Sequence, residues 1–214
     1  MAEVLAWFKN NVENPMRKNG INIKLRLVKV NNTIKKPGPV FLEMARAAYN
    51  GNASYFYRIN DDTELMSNWA EKYITGLSSL SLPYGVIGPL CNQGNEKILT
   101  HDFTHRVHME VFEMNYYPPE LTDWWMDDWI SLVYGKLRTF KAKSVPVMHH
   151  TGTHGTRYAV DQSNKNRLTS LIIEGRKKIR SYMLTHNVPE SDIKAFDLDQ
   201  YQGFIHSDIP KKIH

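Results

Sequence analysis

The sequence predicts an α/β protein, and three observations carry that prediction. Helix-spaced and strand-like apolar runs alternate along the chain. Two strand-like runs end abruptly, YFYRI in Asn60-Asp61-Asp62 and YGVI in Gly88-Pro89. No Pro/Gly-rich linker divides the 214 residues, and their 42% hydrophobic content can bury one substantial core. A single domain over residues 1–214 is therefore expected, with 187–214 as a polar C-terminal arm. Its sheet should be mixed, mostly parallel, and flanked by helices.

Val4, Leu5, Phe8 and Val12 have helical spacing and predict a helix over 2–12, closed before Gly20. The alternating INIKLRLVKV predicts a strand over 21–30. Pro37-Gly38-Pro39 opens a helix through Met44, Ala45 and Ala48, which Asn50-Gly51-Asn52 closes. Aromatic and β-branched side chains from Tyr55 to Ile59 then predict a strand over 54–59. Strand, helix and strand in about forty residues read as a right-handed βαβ crossover, which would leave the acidic tip at the sheet's carboxyl edge.

Leu65, Trp69, Tyr73, Ile74 and Leu77 predict the next helix, starting around Glu64, and YGVIGPL a short apolar strand. HDFTHRVHMEVF is expected to be a short helix, and Tyr116 to Pro119 a rigid aromatic turn. Ile130, Leu132 and Val133 give WWMDDWISLVYG a helical apolar face, KAKSVPVMHH reads as a strand that delivers histidines to a sheet edge, and LTSLIIEGRKKIRSYML is an amphipathic helix.

Composition narrows the function classes. The net charge is +5, but 27 basic residues are set against 22 acidic ones and lie scattered along the chain. With no basic stripe or known motif, nucleic acid is not an expected partner, whereas a small anionic ligand is. One cysteine excludes an internal disulfide and a multi-thiolate zinc site. No apolar run approaches the ~20 residues of a membrane span, and the N-terminus lacks a secretory apolar region. A complete chain would be cytoplasmic; a targeting segment outside it would allow the Golgi lumen. P-loop, dinucleotide-binding and nucleophile-elbow patterns are absent.

Four polar clusters fall at strand ends or in irregular connections: Asn60-Asp61-Asp62, His101 to His108, Asp123 to Asp128, and His149 to His154. Carboxylates suit a hard cation such as Mg²⁺ or Mn²⁺, and Mn²⁺ accepts an added imidazole, so Asp62 with one late histidine meets the requirement. The plainer use of Asp61 and Asp62 is to cap the following helix. His101, His105 and His108 would line one helix face as metal ligands or as ordinary hydrogen-bonded histidines. DWWMDDW has a plain reading too, aspartate capping with tryptophans in the core, but three of each in seven residues exceed what a cap needs.

YRINDDTEL, GVIGPLCNQGN, ILTHDFTHRVHMEVF and above all YYPPELTDWWMDDWIS resemble nucleotide-sugar-dependent glycosyltransferases of the GT-A fold, in particular small transferases of algae, other protists and large algal viruses. The likeness spans roughly residues 21–185. It implies a metal-dependent hexosyltransferase that moves a sugar from a nucleotide diphosphate sugar to a hydroxyl of a glycan or glycoprotein, with inversion. The family's D-x-D motif, which holds Mn²⁺ (or Mg²⁺) and the donor diphosphate, reads Asn60-Asp61-Asp62 here, so the first aspartate is replaced. The family's usual first strand, which grips the base, has no counterpart before Ala2.

The resemblance implies Asp62, Asp61 and His150 as metal ligands, with His149 or His154 as alternatives to His150. Arg58, Asn60, Asp61, Gly88 and Arg157 would face the donor, although each arginine could equally form a solvated or structural ion pair. Asp128 would be the base and Asp127 its helper in orienting the acceptor, with Trp124 and Trp125 as stacking walls and His101 and Asp102 as further acceptor contacts. Two other functions fit the same residues. One is a metal-dependent phosphoester hydrolase; the other is a non-catalytic glycan- or nucleotide-binding module.

Overall fold

The computed structural model describes residues 2–80, 83–93, 97–152 and 161–199. It is α/β, and the chain divides into two compact units, Met1–Asn31 and Asn32–His214.

In the first unit, α1 (Ala2–Phe8) continues through a π-helical turn, Lys9–Glu13, into α2 (Asn14–Lys18). Gly20 ends it at φ +71, with Gly20 N–H donating to Arg17 O and Ile21 N–H to Met16 O. That pair of bonds needs a left-handed residue, which is why glycine stands there. The strand expected over 21–30 is not formed. Alternation alone does not make a strand, because its N–H and C=O groups need a neighbouring strand and its apolar face needs cover, and none of residues 2–31 is buried.

The second unit is built on five strands: β1 (Tyr55–Arg58), β2 (Thr63–Leu65), β3 (Val86–Cys91), β4 (Asp102–His105) and β5 (Thr139–His149). Their order is β1-β4-β3-β5-β2. The sheet is mixed, as expected, but only β3 and β5 pair in parallel; β1·β4, β3·β4 and β2·β5 are antiparallel. The expectation of mostly parallel pairing fails because it rested on a βαβ unit whose first strand is missing. Even so, β1, β3 and β5 all run the same way. Pro146 sits where the β3·β5 register jumps, a place that tolerates a residue without an N–H.

Successive strand residues face opposite sides of the sheet. Phe56 and Val86 join one core, Tyr57 and Ile87 the other. The smaller core lies under α4 (Ala70–Ser78), where Tyr73 and Leu77 meet Phe103, Phe140 and Ala142. The larger core takes α3 (Pro37–Asn50), α5 (Val107–Val111), α6 (Met126–Val133), α7 (Leu168–Thr185) and α8 (Glu190–Leu198). Each large apolar side chain buried there stabilises the fold by about 1.5–3 kcal/mol.

Three further expectations change. Thr63–Leu65 is a strand, so the helix starts at Ala70, and Asp61 and Asp62 are not its caps. HDFTHRVHMEVF is a strand followed by a short helix. The arm beginning at Asn187 is not loose as far as Asp199: α8 buries Ile193 and Phe196, and Arg176 Nη2 donates to the carbonyls of Phe196 and Asp199, 2.7 Å each. Residues 200–214 of that arm lie outside the described residues.

Candidate functional site

Because β1, β3 and β5 share a direction, their carboxyl ends gather at one edge with the start of β2 and β4. The register sets Thr63 opposite His149 and Arg58 opposite Asp102. His149 N–H donates to Asn92 Oδ1 at 2.8 Å, and His150 N–H to Asp62 O at 2.8 Å. The acidic tip therefore stands at the carboxyl edge, next to the end of β5.

There His149 Nε2 lies 3.0 Å from Asp62 Oδ1 and 3.2 Å from Asn60 Nδ2, and the Asp62 and His149 side chains are each 12% exposed. His150, the first-choice metal ligand, points elsewhere: its Nε2 pairs with Glu64 Oε2 at 3.1 Å, both groups being exposed. The alternative, His149, is the histidine that faces Asp62. Asp61 is exposed.

His101 is buried beneath this pair, its ring 5.0 Å from that of His149. Thr63 Oγ1 and Thr100 Oγ1 take its two nitrogens, at 2.7 Å and 3.1 Å. Burial, helped by Arg58 and His149, pushes its pKa down to about 3, so it is a neutral imidazole. It supports the edge from within and has no surface to offer an acceptor.

Arg58 joins the acidic tip to the DWWMDDW segment. Its Nε donates to Asp102 Oδ2 and the Tyr117 hydroxyl, both 2.9 Å, Nη1 to Thr100 O at 2.7 Å, and Nη2 to Asp127 Oδ1 at 2.6 Å. Burial opposes the charge, but Asp102 first, then Tyr117 and Asp127, outweigh it and push the pKa up. With its side chain 8% exposed and its fork engaged, Arg58 is the structural ion pair of the two readings and not a free phosphate contact. Asp102 is fully buried; Tyr116 and Tyr117 each donate a hydroxyl to it at 2.6 Å. Enclosed in this way, it has no surface to offer an acceptor.

Asp127 and Asp128 occupy the first turn of α6, where the helix dipole favours negative charge. Trp125 precedes them at φ +70, a turn that sets the helix entry. Burial raises Asp127 to about 6 against the pull of Arg58, and burial also raises Asp128. Leu99 N–H donates to Ser131 Oγ at 2.8 Å, which fixes α6 to the segment carrying His101. Asp123 is used structurally, accepting from Lys36 Nζ at 2.6 Å and from Asp161 N–H at 3.0 Å.

Trp124 is 43% exposed beside this turn, whereas Trp125 is half-buried with its indole N–H on Gln162 O at 3.3 Å. Gly88 is buried in β3, where a Cβ would come within 2.6 Å of His101 O, so the glycine allows the close approach of that backbone. His105 and His108 do not share a helix face with His101. His105 lies on β4 against Tyr55, and His108 is buried between the Tyr134 hydroxyl and Tyr116 O, both 2.7 Å away. Arg157 and His154 lie outside the described residues.

Thr63, Thr100, Tyr116 and Tyr117 complete the network, and no local sequence pattern marks them for it. YYPP marked a turn, but its hydroxyls serve a carboxylate 14 and 15 residues earlier in the chain, which spacing does not disclose. A cleft of about 260 Å³ near Trp129 and Leu171 and one of about 300 Å³ near Arg138 and Phe196 are lined by none of the candidate residues.

Among the described residues no group of three or more His, Cys, Asp or Glu could hold a metal ion. The Asp62 carboxylate fits the sparser kind of Mg²⁺ or Mn²⁺ site, in which one or two carboxylates are completed by water and substrate phosphates, and the facing His149 imidazole is an added ligand of the kind Mn²⁺ accepts. No family model, no curated protein and no solved structure matches this chain.

Proposed function

We propose that the chain is a glycosyltransferase that moves a sugar from a nucleotide diphosphate sugar to a hydroxyl of a glycan or glycoprotein, with inversion at the anomeric carbon. One observation carries this reading: Asp62–His149 and Asp127–Asp128, separate acidic motifs in the sequence, belong to one sheet edge and are joined through Arg58, Thr100 and His101. One motif suits a cation and a diphosphate, the other a nucleophilic hydroxyl.

In this reading Asp62 and His149 would hold the Mn²⁺ (or Mg²⁺) that the donor diphosphate requires. The bound ion would offset negative charge developing on the leaving diphosphate. The acceptor oxygen bonds to the anomeric carbon as the bond to the diphosphate oxygen breaks, and the electron pair departs with the nucleotide. Asp128 accepts the acceptor's proton, a task suited to a carboxylate whose pKa burial has raised. Asp127, fixed by Arg58, orients the acceptor, and exposed Trp124 offers a ring for a sugar to stack on.

The test is titration with a panel of nucleotide diphosphate sugars, with and without Mn²⁺, followed by product release with and without acceptor. Metal-dependent binding and acceptor-accelerated turnover, both absent in Asp62→Ala, are expected. Turnover of a phosphoester at a rate no acceptor alters would favour the hydrolase instead.

A further inference from the structure

The positive charge of the chain is not evenly distributed. Residues 1–31 hold six lysines and arginines against two glutamates, a net +4 of the chain's +5, while the remaining 183 residues come close to balance. The same unit leaves its apolar side chains in the open: Val4, Leu5, Trp7, Ile21, Ile23 and Leu27 are all between 42% and 62% exposed. Along 21–27 the alternation of Ile21, Ile23, Leu25 and Leu27 with Lys24 and Arg26 would set apolar groups on one side of an extended chain and cations on the other.

We infer that residues 2–31 are a docking surface for an anionic lipid bilayer. Exposed aliphatic groups with a tryptophan are suited to the boundary between headgroups and acyl chains, where an indole finds both an apolar and a polar neighbour. The cations supply the matching term, since lysines and arginines next to an anionic leaflet are held by its negative surface potential. Lysine and arginine stems can lie along apolar surface while their charges stay in water. A nucleic acid would use the cations but leave Val4, Leu5, Ile21 and Ile23 without a role. No helix among the described residues is long and apolar enough to cross a membrane, so the association is with the surface.

Sedimentation of the full chain with vesicles tests this, using phosphatidylcholine alone and phosphatidylcholine with one-third phosphatidylserine. Binding at least about tenfold tighter to the anionic vesicles is expected, weakened by raising the salt to about 0.5 M. Leu5→Glu with Trp7→Glu should abolish it, and Lys24→Glu with Lys29→Glu should bring it to the phosphatidylcholine level, both with unchanged thermal unfolding because all four residues are exposed. Equal binding to both vesicles overturns the inference. So does a failure to sediment with either, including the case in which the same variants instead break up a self-associated form or release a bound RNA.

Discussion

Arg58 Nη2 and Asp127 Oδ1, 69 residues apart in sequence, stand 2.6 Å from each other, and the same guanidinium reaches Asp102. The arginine is thus a strut between the first strand and the helix entry that carries the acidic pair. Arg58→Met would leave Asp102 buried without its cation, a loss expected to cost about 3–5 kcal/mol in urea unfolding. Arg58→Lys keeps a charge but not the fork, and should fall between the variant and the wild type. A cost below about 1 kcal/mol for Arg58→Met would mean that the strut is dispensable.

Asp127 gives the site a pH signature. Its folded pKa, raised to about 6, means that the folded state favours the protonated form, so its contribution to stability is full below the unfolded value of 3.8 and is lost as pH rises through about 6. Asp127→Asn should therefore lose less stability than wild type between pH 4 and pH 7 on this account, as read from thermal midpoints. If the proposed transferase function holds, with charged Asp127 orienting the acceptor, turnover should rise through about pH 6 and lose that limb in the variant.

His108 works in the opposite sense. Burial lowers its pKa to about 4 from 6.5, so the folded state binds its proton later than the unfolded one and stability falls as pH drops below 6.5 toward 4. The full loss is roughly 3 kcal/mol. His108→Phe should flatten this acid limb, yet be less stable at pH 7 by roughly 2–4 kcal/mol, because the Tyr134 hydroxyl and Tyr116 carbonyl lose their partner. Thermal melts of both proteins from pH 4 to pH 7 read both effects.

Gly88→Ala would place a methyl within 2.6 Å of His101 O and 2.7 Å of Leu99 Cδ2. The backbone contact cannot be relieved by a side-chain turn, so about 1–3 kcal/mol of stability should be lost. Under the proposed function donor affinity should fall as well, since the His101 ring lies against that of His149. Calorimetric unfolding with a donor titration checks both.

Much of this was legible in the sequence where the signal is local. Strands β3 and β5, helices α3, α6 and α7, and the placing of Asn60 to Asp62 beyond a strand end all follow from short patterns. Even the histidine choice had a local signal: in VPVMHH the buried Val145 and Val147 share a face with His149, which sends His150 to the other side. What stayed hidden depends on distant partners. The alternation over 21–30 could not disclose that no strand would form there. Nor could Asp102 be read as buried, since Arg58, Tyr116 and Tyr117 reach it from separate elements.

The most direct test compares Mn²⁺-dependent binding of a nucleotide diphosphate sugar by wild type, His149→Ala and His150→Ala. His149, facing Asp62, should be required, and His150, paired with exposed Glu64, should not, so the first variant should lose the Mn²⁺ dependence and the second retain it. Loss in His150→Ala with retention in His149→Ala would contradict the assignment of the cation to Asp62 and His149.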